Sequence, residues 1–326
     1  MAPQEAATRR VALGRPIDLD VVLGPLVRGS GDPTMRLGRG VVARATWLAS
    51  GAATIIARSL EGDATLEVEA WGPGAEEALE RVPALVGIDD DDADFDPSLH
   101  PEVAALARRR GRIPLGRTGS VFEALLPAIL EQRITGTEAW RGFRRLVRSI
   151  AVPAPGELGL LMPARAADVA ALPSWTFPRL GIEPRRGALL RRVAADASRL
   201  EALAARAREP GGGGLGAAEL DTRLRAYPGI GPWTSAEVRL RALGDPDAVS
   251  LADAHLPNVV SWILAGEPRG TDERMLELLA PWAGHRARVV RLLELSGKLP
   301  PRFGPRIAPR DLTDLTPRPG GSRVRR

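Results

Sequence analysis

The chain has no cysteine, and that one absence removes disulfides, thiolate zinc sites and iron–sulfur clusters together. Lysine is almost missing too: Lys298 is the only one, so nearly all basic charge is arginine. Three histidines (His100, His255 and His285) are too few for a His-rich metal site. No run of about 18 apolar residues occurs, which argues against a membrane span. The opening residues, Met1-Ala2-Pro3-Gln4-Glu5, lack the charged-then-apolar layout of a secretion signal, and a cytoplasmic location is the expectation.

What is present fits a soluble globular protein. The 326 residues are enough for two domains with a core each, at 44% hydrophobic and 26% charged. A net charge of +5 and a pI near 10.7 favour a polyanionic partner, because arginines neutralise phosphates and release counterions.

The texture changes near residue 98. Before it, 41–44, 53–58 and 64–70 read as short strands between Gly-, Ser- and Asp-rich turns, and 74–82 reads as a helix laid against them. Residues 1–98 are therefore expected to form a small α+β unit. The acidic run 89–92, with Asp94 and Asp96, reads as a solvated linker, a carboxylate metal site being the minor alternative.

Residues 99–299 show helical patterning throughout. Ser120-Val121-Phe122-Glu123 is a capping box opening a helix to about Ile134, bent at Pro127. Trp140, Phe143, Leu146, Val147 and Ile150 recur at helical spacing. Arg141, Arg144, Arg145 and Arg148 lie mostly off that stripe, as a solvated or a nucleic-acid-facing surface. The stretch 210–214 reads as a flexible loop, and 300–326, rich in Pro, Gly and Arg, as a disordered basic tail.

The most informative stretch is Leu224-Arg225-Ala226-Tyr227-Pro228-Gly229-Ile230-Gly231-Pro232-Trp233-Thr234-Ser235-Ala236, followed by Asp253-Ala254-His255-Leu256. Pro228 ends one helix, Gly229 and Gly231 permit a tight reversal, and Pro232 suits the first position of a second helix that stops near Gly244. Free amides of Gly231, Trp233 and Thr234 would then face outward at a helix N-terminus, where unpaired N–H groups and the dipole attract a phosphate. Such a contact positions a duplex and reads no sequence. Inward-facing carbonyls of Arg225, Tyr227 and Gly229 could hold a monovalent cation, Na or K; no other cofactor is expected. An aspartate before a helix is ordinarily an N-cap. At this distance behind the hairpin, Asp253 reads as a catalytic carboxylate that can cap as well.

These residues resemble the helix-hairpin-helix (HhH-GPD) DNA glycosylase superfamily, and within it the 3-methyladenine DNA glycosylase II (AlkA) type, which has Trp at the position of Trp233 where the lyase-competent branch has Lys. The similarity runs from about Gly119 to Ser296, with Ile129-Leu130-Glu131-Gln132 and Pro281-Trp282, and is looser at Gly31-Asp32-Pro33-Thr34-Met35-Arg36. It implies an antiparallel sheet with helices at the N-terminus, then an all-α domain split by a DNA cleft. It further implies Asp253 as catalytic carboxylate, Trp233, Trp282, Gln132 and Glu237 at the base pocket, and Gly229, Gly231, Thr234 and Arg133 on DNA. Arg133 falls at the wedge position, commonly aliphatic in this type; on residues alone it is equally a surface arginine. Glu237 stands where the type has an aromatic, and Pro257 is atypical four residues after Asp253.

The implied activity is monofunctional removal of alkylated purines from double-stranded DNA, by a monomer, leaving an abasic site. A lone carboxylate suits a leaving base that is already cationic, because the departing sugar becomes oxocarbenium-like. Glu237, if it faces the pocket, would add to a preference for positive bases. The alternatives are a DNA-binding module without catalysis, for which a carboxylate beside phosphates is unhelpful, and a glycosylase for oxidised, mismatched or deaminated bases.

Overall fold

The computed structural model describes residues 5–59, 64–207 and 213–301. From 302 onward the expected basic tail lies outside the described residues, as do 210–212 of the expected loop.

Five antiparallel strands form one sheet in the order β1-β5-β4-β3-β2, namely β1 (Ala7–Ala12), β2 (Met35–Gly38), β3 (Val41–Leu48), β4 (Gly51–Ser59) and β5 (Thr65–Trp71). In β5 the period of two is explicit: Leu66, Val68 and Ala70 are buried while Thr65, Glu67 and Glu69 between them are less so. Helices α1 (Leu19–Leu23) and α2 (Ala75–Leu85) close one face over Leu19, Leu23, Ile55, Leu66 and Leu79. The other face, with Ala43, Ala45 and Ile56, is covered by Leu160 and Met162 from the far half of the chain. That covering segment carries a β-bridge between Pro153 and Leu161, strand character where the sequence pattern predicts helix alone.

The remaining described helices sort into two clusters. One contains α4 (Val121–Leu130), α5 (Gly136–Ile150), α6 (Ala166–Ala171), α7 (Thr176–Arg179), α8 (Pro184–Ala195), α9 (Ala197–Ala207), α10 (Gly213–Arg225) and α11 (Pro232–Leu243), around Leu125, Ile129, Leu146, Phe177 and Leu224. The other packs α3 (Pro101–Arg110) against α12 (Leu256–Ala265), α13 (Asp272–Leu279) and α14 (Arg286–Glu294), around Val103, Val260, Met275 and Val289. The architecture is α+β, and the chain between α11 and α12, which carries Asp253, links the two clusters.

Two expectations change here. Helix α4 begins on the Ser120 cap, whose hydroxyl accepts the Glu123 N–H at 3.4 Å, and Glu201 accepts the N–H groups of Val121 and Phe122 at 3.0 and 2.8 Å. It stops at Leu130 rather than Ile134. The Glu131 N–H closes the last turn on the Pro127 carbonyl at 2.9 Å, and Arg133 then takes φ 54°, a left-handed conformation that no helix continues through. The acidic run is only partly a solvated linker: Asp89, Asp91, Asp94 and Asp96 are exposed, but Asp90 and Asp92 are not. Arg288 forms a bidentate pair with Asp90 at 2.6 and 2.8 Å, with side chains 3% and 6% exposed, and Arg112 holds Asp92 at 2.6 Å. The linker is thereby latched to α14. Among the described residues no cluster of three or more metal-ligating side chains forms, and no helix is long and apolar enough to cross a membrane.

Candidate nucleic-acid interface and base site

The hairpin forms where the glycines require it. Gly229 has φ 104°, a region closed to most side chains, and Ile230 is buried as the anchor beneath it. The Ile230 N–H donates to the Tyr227 carbonyl at 2.9 Å, closing the turn. Gly231 is the N-cap of α11, with Pro232 in its first turn, and a Cβ placed on Gly231 would meet nothing within 4 Å. The space before this N-terminus is therefore open. The first intrahelical bond comes from Ser235 to the Gly231 carbonyl at 3.1 Å, so the N–H groups of Trp233 and Thr234 precede it and have no acceptor in their own helix. The Ser235 hydroxyl donates to Asp221 at 2.7 Å, fastening α11 to α10.

Asp253 is shared between two duties. Its Oδ1 accepts the N–H groups of His255 and Leu256 at 2.7 and 2.9 Å, holding the turn that leads into α12, although the N-cap position itself is His255. Its Oδ2 accepts the indole N–H of Trp233 at 2.9 Å. The residue is part-exposed, neither sealed in a core nor free on the surface. Ala252 before it holds φ 62°, and its N–H is fixed by Asp272 at 2.7 Å, so the carboxylate sits on a turn held from α13. Pro257 falls in the first turn of α12, where a missing N–H costs nothing, and the helix starts undisturbed at Leu256.

The expected pocket residues divide. Trp233 stands at Asp253. Trp282 is placed differently: it is 3% exposed within the α3/α12–α14 core, its indole N–H donating to the Asp96 carbonyl at 2.7 Å. Its ring is a core ring here and presents no face to a base. Gln132 turns its amide to the hairpin, donating to the Gly229 carbonyl and to Thr234 Oγ1, each at 2.9 Å. Glu237 is no lone charge. Arg241 pairs with its Oε2 and the Ser250 hydroxyl donates to its Oε1 at 2.5 Å. Arg133 is exposed at the tip of the loop that follows α4, and the carbonyl of Gln132 beside it accepts from Arg186 at 2.6 Å.

Of the expected cation ligands, the Tyr227 carbonyl already accepts from Ile230 and the Gly229 carbonyl from Gln132. A carbonyl has two lone pairs, so each retains one for a cation. Of the α5 arginines, Arg144 packs against the Gly31 position while Arg148 is exposed, and Trp140 packs against Gly29 and Gly136.

No protein-family model matches the sequence, and no curated protein matches it. Solved structures do. The 3-methyladenine DNA glycosylase from Archaeoglobus fulgidus superposes with a TM-score of 0.73 at 21% identity, covering 88% of this chain and 97% of that one. An 8-oxoguanine glycosylase/lyase from Clostridium acetobutylicum gives 0.67 at 12% identity in its apo form, covering 90% and 98%. In complex with double-stranded DNA carrying cytosine opposite 8-oxoguanine, that enzyme gives 0.65. The chain has the glycosylase fold.

Within that fold the sequence reading missed the partners rather than the motif. Ser250 and Arg241, which grip Glu237, carry no motif of their own. Arg241 also donates to the Pro25 carbonyl at 3.2 Å, and Arg28 donates to the same oxygen at 2.8 Å. Arg28 is 6% exposed, and its burial pulls the guanidinium below the usual arginine range. The available signal was spacing: Trp233, Glu237 and Arg241 recur at four-residue intervals and so share one helix face.

Proposed function

We propose that this chain is a monofunctional DNA N-glycosylase that extrudes alkylated purines from double-stranded DNA and hydrolyses their glycosidic bond, acting as a cytoplasmic monomer. The observation that carries the reading is the Trp233–Asp253 hydrogen bond at 2.9 Å, on the helix whose first turn is the open hairpin. One short element would thus grip a phosphate and fix a carboxylate beside the sugar it belongs to.

The hairpin amides of Gly231, Trp233 and Thr234 take the phosphate. Arg133 enters the gap left by the extruded nucleotide, and extrusion itself costs a few kcal/mol. Oδ2 of Asp253 stabilises positive charge growing on the sugar and orients the attacking water. An alkylated purine leaves as a cation-derived base without a separate acid, and the Trp233 face adds about 0.5–2 kcal/mol of cation–π attraction. The remaining lone pairs of the Arg225, Tyr227 and Gly229 carbonyls would hold a monovalent cation that reinforces the hairpin.

Among the described residues a lyase step finds no lysine amine at the site. Trp233 occupies the position, and the only lysine, Lys298, is paired with Glu102 at 2.5 Å. Incubation with methylated duplex DNA, with released bases resolved by chromatography, tests the reading. Asp253→Asn should abolish release, whereas unchanged release would refute it. Borohydride should trap no enzyme–DNA adduct; a trapped one would overturn the monofunctional assignment.

A further inference from the structure

We propose that Glu237 reads the extruded base and selects modified guanines over modified adenines; this rests on the glycosylase reading and names the substrate class of that same site. The argument begins with helix α11, which presents Trp233, Glu237 and Arg241 on one face at four-residue spacing. Facing it runs the segment carrying Ser250 and Asp253. Two rungs join them: Trp233 Nε1 to Asp253 Oδ2 at 2.9 Å, and Ser250 Oγ to Glu237 Oε1 at 2.5 Å.

The rungs differ in depth. The N-terminus of α11 opens to empty space at Gly231, while its other end reaches the Pro25 carbonyl through Arg241. Arg241 also borders a cavity of about 40 Å³ lined by Arg28, Arg44 and Glu123. The Asp253 rung is thus the outer one and the Glu237 rung the inner one, about 6 Å further along the helix. A purine with its sugar carbon at Asp253 directs its far edge at Glu237.

Arg241 offsets most of the charge of Glu237, so the carboxylate is poorly placed to favour a cation and well placed to accept hydrogen bonds. It is held rigidly from both sides, yet its side chain keeps 14% exposure. A carboxylate offers about four lone-pair sites, and Ser250 and Arg241 use one on each oxygen. One acceptor site remains on each oxygen. Guanine presents two adjacent donors on its Watson–Crick edge, N1–H and N2–H, and changes at N7 or C8 leave that edge intact. Adenine sets an acceptor, N1, beside its N6 donor, so one of the two contacts is repulsive.

Methylated duplex DNA releases both 7-methylguanine and 3-methyladenine, so one reaction reads the ratio; a second uses a duplex with a single 8-oxoguanine. Glu237→Gln keeps the size but offers one donor and one acceptor, the pattern that suits adenine. The ratio of 7-methylguanine to 3-methyladenine release should fall about 10- to 100-fold, the discrimination expected of a bidentate base contact. Ser250→Ala, which frees Oε1, should lower the same ratio by less. Equal loss on both bases, or an unchanged ratio, overturns the proposal, because a merely structural Glu237 would affect both alike. If the unaltered protein prefers 3-methyladenine, the proposal fails while the glycosylase reading stands. Release of 8-oxoguanine alone keeps the guanine reader and removes the alkylation reading, and release of none of the three removes both.

Discussion

The Gln132 amide donates to the Gly229 carbonyl at 2.9 Å, joining the loop that exposes Arg133 to the hairpin that exposes its amides. The same amide reaches Thr234 Oγ1, so the two elements expected to touch DNA are one rigid body. Gln132→Ala should cost about 1 kcal/mol of stability per lost hydrogen bond. It should also weaken binding to an undamaged duplex of any sequence by a similar factor, measured by fluorescence anisotropy at fixed salt. A change confined to damaged DNA would instead place Gln132 in base recognition.

Arg133 stores backbone strain at an exposed tip. A non-glycine residue at φ 54° costs roughly 1–2 kcal/mol. Arg133→Gly should therefore raise Tm by a few degrees while slowing base release about tenfold or more, since nothing then fills the gap left by the extruded nucleotide. Calorimetry and single-turnover excision check the two halves, and a loss of Tm would show that the arginine side chain is needed for folding.

Tyr227 is the only tyrosine, so tyrosinate absorbance reports it alone. Burial first, then the hydrogen bond its hydroxyl donates to Asp196 at 2.9 Å, push it up from 10 to about 12. Because the folded state holds this proton more tightly, the stabilisation is full below pH 10 and is lost as pH rises toward 12. A spectrophotometric titration with its midpoint near 10 would contradict this, and Asp196→Asn should lower the midpoint.

The pair of Arg288 and Asp90 fastens the linker between the sheet and the helices to α14. Removing Arg288 leaves the buried Asp90 carboxylate with only the Leu115 N–H at 3.0 Å and Arg112 at 3.8 Å, so Arg288→Met should cost about 3–5 kcal/mol in urea denaturation. The double change with Asp90→Leu should recover a good part of that loss. Additive losses would mean that the two side chains act independently.

The hairpin was legible because its signals are local. Pro228, Gly229, Gly231 and Pro232 each constrain their own backbone, and the same is true of the Ser120 cap and the Gly244 stop. Strands β3, β4 and β5 showed themselves by alternation. Strand β1, with Arg9 and Arg10 in its middle, and the four-residue β2 did not, because pairing with β5 and β3 decides them. The same limit explains Trp282, whose partner Asp96 lies 186 residues away, and Asp90, whose partner Arg288 lies 198 away. A side chain's role was hidden wherever a distant segment settles it.

The segment 152–162 that roofs the sheet belongs, in sequence, to the helical half. Trp47 of β3 donates its indole N–H to the Pro163 carbonyl at 2.8 Å, and Arg44 of β3 pairs with Glu123 of α4. Cutting the gene near codon 98 would therefore yield two fragments with bare greasy patches, prone to clump when expressed separately and to recover solubility only when produced together.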